Sequence, residues 1–136
     1  MRIIILLLFL GINYLGKADT LTFWHVYYNA NLVAELNELS NEYELIIEKS
    51  KIKKGDSITV YYFRDTPCSS CKSTLQVQDN NNQEVAVWNG VGTTTIKKFA
   101  IEDLLKSGSE FFVVWYLEEI SGTKLLKSRL FKIKLE

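Results

Sequence analysis

Beyond residue 20 the chain alternates apolar and polar positions in short runs, the period-two pattern of strands that bury one face. The strongest run is 57–64, where Ile58, Val60 and Tyr62 fall on one face and Tyr61 and Phe63 on the other. Residues 21–28 are aromatic and β-branched, and Asn29-Ala30-Asn31 can turn the chain back into a strand at 32–37. Leu32, Leu36 and Leu39 also fit a short helical stripe, so two assignments stand for 31–40. Tyr43, Leu45 and Ile47 then alternate with Glu44, Ile46 and Glu48, and Lys53-Lys54-Gly55-Asp56 reads as a turn. Further strands are expected at 74–79, 84–88 and 93–99, separated by Asp79 to Asn82 and by Asn89-Gly90-Val91-Gly92. Ile101 to Leu105 predicts one helical turn ended by Gly108. Residues 110–118 are apolar on both faces, as in a central strand, and a hairpin over Ser121-Gly122 leads to a last strand at 127–135.

Seven to nine strands at this spacing predict an all-β fold, an antiparallel β-sandwich of immunoglobulin or fibronectin-III type. A small closed barrel is the alternative. Pro67 is the only proline, and no linker, repeat or composition shift divides the chain. A single domain over 19–136 is therefore expected, large enough to bury a real core.

Residues 1–18 change the setting. Arg2, the apolar run Ile3 to Ile12 and the small residues Gly16 and Ala18 match the three regions of a cleavable secretory signal. The run holds about 10 residues where a bilayer crossing needs roughly 20, so no stable membrane insertion is expected after cleavage. Loss of Arg2 and Lys17 leaves 14 Lys+Arg against 16 Asp+Glu, a net charge of about −2. That balance argues against a nucleic-acid partner, because phosphate neutralisation needs a basic surplus. The expected location is secreted or periplasmic, and absent N-x-Ser/Thr sequons lean towards a bacterial envelope.

Candidate chemistry is sparse. Cys68-Ser69-Ser70-Cys71 after a strand invites a thioredoxin comparison, yet residues 73–79 alternate like a strand, so no helix N-terminus is expected to activate a thiolate. In an exported chain the pair reads best as a small disulfide clipping a loop. A structural zinc site wants four Cys or His ligands, and only Cys68, Cys71 and His25 are offered. No metal or other cofactor is expected. His25 sits mid-strand on the face of Phe23 and Tyr27 and reads as structural or partly exposed. The carboxylate pairs Glu102-Asp103 and Glu118-Glu119 read as solvated surface, and the lysines at 49, 51, 53 and 54 as a soluble edge. No catalytic residue is assigned.

Aromatic residues are the more informative class, with Trp24, Trp88 and Trp115 beside many Tyr and Phe. If the face carrying Tyr61 and Phe63 is open, an aromatic strip there can contact a glycan or a partner protein. The alternative is that both faces are covered. Arg64 and Asp65 are the polar residues best placed to extend such a surface.

The run Asp56-x-Ile58-x-Val60-x-Tyr62, the loop Arg64-Asp65-Thr66-Pro67-Cys68-x-x-Cys71 and the closing strands resemble small exported β-sandwich proteins of bacterial envelopes. That resemblance implies the fold and the compartment and transfers no activity. A second likeness, through Ile101-x-x-Leu104-Leu105-x-x-Gly108, is to the C-terminal sorting domains of type IX secretion, although the short Gly-x-Tyr of those domains does not follow Gly108. The expected function is a non-enzymatic binding or interaction domain whose partner is a protein or glycan. Two alternatives are a thiol–disulfide protein acting through Cys68 and Cys71 and an envelope structural subunit pairing through sheet edges.

Overall fold

A computed structural model describes residues 21–40, 42–93, 95–120 and 124–136. The signal-like segment 1–18 and the turn at Ser121-Gly122 lie outside the described residues. The elements, in chain order, are β1 (Phe23–Tyr28), β2 (Asn31–Asn37), β3 (Glu44–Ile47), β4 (Ser57–Phe63), β5 (Lys72–Asp79), β6 (Glu84–Val91), β7 (Thr95–Ala100), α1 (Ile101–Ser107), β8 (Phe111–Ile120) and β9 (Lys124–Leu135). A 3-10 turn at Lys49–Lys51 follows β3. Residues 31–37 are thus a strand, and Leu39, the third member of the helical stripe, stays exposed.

Two sheets face each other, a four-stranded one in the order β2-β1-β4-β7 and a five-stranded one in the order β3-β9-β8-β5-β6. The chain crosses between them at β2–β3, β3–β4, β4–β5, β6–β7 and β7–β8, giving the expected nine-stranded β-sandwich. Among the described residues every ladder is antiparallel except one, since β3 runs parallel to β9 with Glu44 opposite Lys132 and Ile47 opposite Leu135. A parallel pair needs a long crossover, and here β4 to β8 lie between the two strands.

Alternation decides what is buried. Trp24 and Val26 of β1, Ile58, Val60 and Tyr62 of β4, and Phe99 of β7 point inwards. Leu75 and Val77 of β5, Phe112, Val114 and Tyr116 of β8, and Phe131, Ile133 and Leu135 of β9 meet them from the other sheet. A bulge between Val114 and Trp115 moves the register from Phe131 to Arg129, so Leu130 and Phe131 are both fully buried. Ile101 and Leu104, one turn apart on α1, are buried as well. Gly108 ends that helix at φ +74°, a left-handed cap that a side chain would strain.

Asp56 fastens the other end. Its carboxylate accepts from Tyr28 Oη at 2.6 Å, Asn29 Nδ2 at 3.0 Å and the Lys53 N–H at 2.9 Å. The Lys53 N–H, then Tyr28 and Asn29, hold its carboxyl below the ordinary value. Burial and the same contact push Tyr28 up to about 12.

Candidate binding surface

With Trp24, Val26, Ile58, Val60 and Tyr62 turned inwards, the pleat turns Phe23, His25 and Tyr27 of β1 and Tyr61 and Phe63 of β4 to the outer face of the four-stranded sheet. Register brings them together, since Phe23 lies opposite Phe63 and His25 opposite Tyr61. The Phe23 and Phe63 rings stack at 4.6 Å, Tyr61 and Phe63 meet at 4.3 Å, and His25 touches the edge of Phe63 at 6.3 Å. His25 Nε2 lies 3.8 Å from Glu35 on β2. Ile96 of β7, opposite Tyr61, extends the strip with 58% of its surface exposed. Among the described residues no element packs across this face; α1 lies instead against β6 and β7. The open-face alternative is the one observed for Tyr61 and Phe63, and His25 is partly exposed as expected.

Arg64 and Asp65 do not extend that strip. The Arg64 side chain turns towards the sandwich interior, where its Nη1 donates to Glu118 Oε1. The Asp65 N–H reaches Thr22 Oγ1 at 3.4 Å. The four residues expected to share one surface therefore divide, two on the outer face and two at the end of the sandwich.

Glu118 corrects a second expectation. Read as solvated surface, it has no exposed area at all, because it is in phase with Phe112, Val114 and Tyr116 on the inner face of β8. Glu119 points the other way, 3.8 Å from Lys72 Nζ. Beside Arg64, Glu118 is reached by Tyr116 Oη, which donates to Oε2 at 3.4 Å. Tyr116 stacks on Tyr62 from the opposite sheet at 3.9 Å. Burial first, and then the negative charge of Glu118, pushes the Tyr62 hydroxyl up to about 12 and that of Tyr116 higher still.

Lys97, which the sequence reading passed over, completes this cluster. It stands on the inner face of β7, fully buried, two positions from Phe99. Its ammonium lies 4.3 Å from the Tyr116 ring centre and 5.0 Å from that of Trp88, a cation held between two aromatic faces. Nζ donates to Ser73 Oγ at 3.2 Å, and the Ser73 hydroxyl donates in turn to the Gly92 carbonyl at 2.7 Å. Position 90 must be glycine for this arrangement, because a Cβ there would overlap the Trp88 ring. Burial pulls the Lys97 amine down to about 8, partly opposed by the charge of Glu118.

The loop 64–71 joins β4 to β5 without a helix, and Cys68 and Cys71 are disulfide-bonded within it. Three main-chain groups fasten it to the β6–β7 connection. The Cys68 N–H donates to Thr93 Oγ1 at 2.9 Å, the Thr93 N–H to the Cys68 carbonyl at 3.1 Å, and the Gly92 N–H to the Cys71 carbonyl at 2.8 Å. The bridge is thus one clip among several. Beside the loop's first residue lies a cleft of about 350 Å³, with Trp24, Glu38, Tyr62 and Arg64 on one side and Leu126 to Arg129 of β9 on the other. It opens where β9 runs past β3, which pairs with β9 only over Lys132–Leu135. Among the described residues no group of three or more His, Cys, Asp or Glu is placed to hold a metal ion.

The Lys97 amine gives the stability a definite pH dependence. Its folded pKa of about 8 lies below the ordinary 10.5, so the desolvation cost is fully present below pH 8. It is relieved as the folded form loses its proton between pH 8 and 10.5. Stability is expected to climb over that window by up to about 3 kcal/mol. The raised tyrosines oppose the climb above about pH 10, where only the unfolded chain releases their protons. Denaturant unfolding at successive pH values should show the rise in the wild type and its absence in Lys97→Met, which is neutral or stabilising at pH 7 because Glu118 keeps Arg64. Glu118→Gln strands two cations and should cost about 3–5 kcal/mol. For the loop, replacing Cys68 and Cys71 by Ser is expected to leave a folded domain, destabilised by about 1–3 kcal/mol in thermal unfolding. A double mutant that cannot fold would make the loop an anchor of the core.

The chain matches no protein-family model and no curated protein, so every functional statement about it rests on its own residues and their geometry.

Proposed function

We propose that the mature chain is an exported, non-enzymatic binding domain that docks a partner protein on the outer face of its four-stranded sheet. The uncovered strip of Phe23, His25, Tyr27, Tyr61 and Phe63 carries this reading. Aromatic and aliphatic side chains at the centre with charges at the margin are the anatomy of a protein interface. Here Ile96 extends the apolar centre, while Glu35 and Lys98 are exposed beside it. A glycan fits less well. Sugars stack on free ring faces, and Phe23, Tyr61 and Phe63 already lie against one another. Export is supported by the signal-like residues 1–18 and by the Cys68–Cys71 bond, which suits an oxidising compartment. Among the described residues no helix is long and apolar enough to cross a membrane.

The docking surface is tested with a photo-reactive phenylalanine analogue in place of Tyr61, and separately of Val87 on the other sheet, in cells that make the protein. A discrete covalent adduct is expected from position 61 and not from position 87, and Phe63→Glu should abolish it while leaving the circular dichroism unchanged. Equal adducts at both positions, or none at 61, would sink the proposal. Export has its own check, since N-terminal sequencing of the product is expected to begin at or near Asp19. Full-length protein starting at Met1 in the membrane fraction overturns it.

A further inference from the structure

The outer face of the four-stranded sheet carries charge as well as rings, and the two signs stand on opposite margins. We propose that the partner docked there is a second copy of the chain, packed sheet to sheet about a two-fold axis parallel to the strands. This holds only if that face is the docking surface proposed above.

Register fixes the layout of the face. Phe23 and Phe63 form one row, and Glu35, His25, Tyr61 and Ile96 form the next. Leu32, Tyr27, Thr59 and Lys98 form a third. The rings thus occupy the two inner strands, β1 and β4. Edge strand β2 contributes an acid, Glu35, and edge strand β7 a base, Lys98. Glu35 keeps 68% of its side chain exposed, and its nearest basic group, His25 Nε2, lies 3.8 Å away. Lys98 is exposed and makes no ion pair among the described residues.

Symmetry turns this layout into self-complementarity. Sheets that pack face to face keep their strands roughly aligned. A two-fold axis along the strands, passing between β1 and β4, lays each β2 over the other copy's β7 and each β1 over its β4. Phe23 then meets the partner's Phe63, His25 meets the partner's Tyr61, and Glu35 approaches the partner's Lys98, each contact made twice. Lys98 lies two residues along from the level of Glu35, a step of about 7 Å that the two long side chains span. An axis across the strands would instead lay β2 over β2 and set acid beside acid. Charge therefore selects one axis. A second copy satisfies both margins at once, whereas an unrelated partner needs its own acid and base at the matching separation.

The available area suits a reversible dimer. Strands about 4.8 Å apart and about six residues long give a face of roughly 400 Å² in plan, to which side-chain relief adds. Two such faces bury roughly 1,000 Å² in total, the weak end of specific interfaces. Exposed Leu32 and Ile96 supply apolar area beside the rings.

The test is sedimentation of the purified mature chain from about 1 μM to about 1 mM, where a monomer–dimer equilibrium is expected with a Kd of about 10–100 μM. Glu35→Lys and Lys98→Glu each set like charges against one another in both symmetry-related pairs, so each alone should dimerise at least about tenfold more weakly. Mixed in equal amounts, the two variants should regain wild-type affinity, because each supplies the charge that the other has lost. Phe63→Glu should leave only monomer, and Val87→Glu, on the other sheet, should change nothing. A wild type still monomeric at about 1 mM, single variants that dimerise as the wild type does, a mixture that stays dissociated, or a dimer lost in Val87→Glu each overturns the proposal. The covalent adduct formed from position 61 separates this outcome from the docking reading, and twice the monomer mass is expected for it. A different mass beside a monomeric purified chain overturns the second copy and leaves the docking face standing, whereas no adduct overturns both.

Discussion

A carboxylate sealed between two sheets costs several kcal/mol unless a cation is placed against it, and at this end of the sandwich the cation is Arg64. Much of the neighbouring geometry follows from that pair. Glu118 sits on the inner face of β8, so the Tyr116 hydroxyl two positions away finds an acceptor inside the core. The Tyr116 ring then stacks on Tyr62 from the facing sheet and leaves its other surroundings to the Lys97 ammonium. Trp88 closes over that ammonium only because position 90 has no side chain. Four strands and one loop thus share a single electrostatic arrangement, in which loss of the Lys97 charge would be tolerated while loss of either member of the Arg64–Glu118 pair would not.

Aromatic residues serve two purposes, and the pleat separates them. Tyr62 and Phe63 are neighbours in sequence, yet one lies in the interior against Tyr116 and the other outside against Phe23. Burial on the inside fixes the distance between sheets. On the outside the same residue type contributes mutual contact among rings with no structural partner above them, which leaves apolar area facing solvent. A surplus of aromatic residues over what one core requires is explained by this division.

Most strand positions were legible because every second residue is apolar along one face of 43–48, 57–63 and 74–79. Helix α1 was legible from its stop at Gly108. The parallel pairing of β3 with β9 was not, since period-two patterning carries no information on direction or partner. Within 110–118 both faces are apolar, so the sequence does not show which parity is inside, and Glu118 was assigned to solvent with Glu119. Lys97 shares a face with Phe99, a signal that was present and unweighted, because lysine is almost never fully buried without a partner. Its partners are the Ser73 hydroxyl and the Tyr116 and Trp88 rings, all supplied by the other sheet. The disulfide was legible from compartment and spacing together, whereas Arg64 turned inwards for a reason visible only in three dimensions.

The placement of β9 has a kinetic side. Residues 124–135 occupy the second position in the five-stranded sheet, between β3 and β8, and Glu44 finds its partner only at Lys132. Until those residues are available, β3 has no ladder and the inner face of β8 lacks Phe131, Ile133 and Leu135. Closing so distant a contact delays the reward for ordering the chain, which places such topologies among the slow folders. A polypeptide of this design stays uncommitted while it is being synthesised, with its sheets unsealed. That is the state in which a translocation pore can still thread it, and also the state in which exposed strands are most prone to pair with the wrong chain.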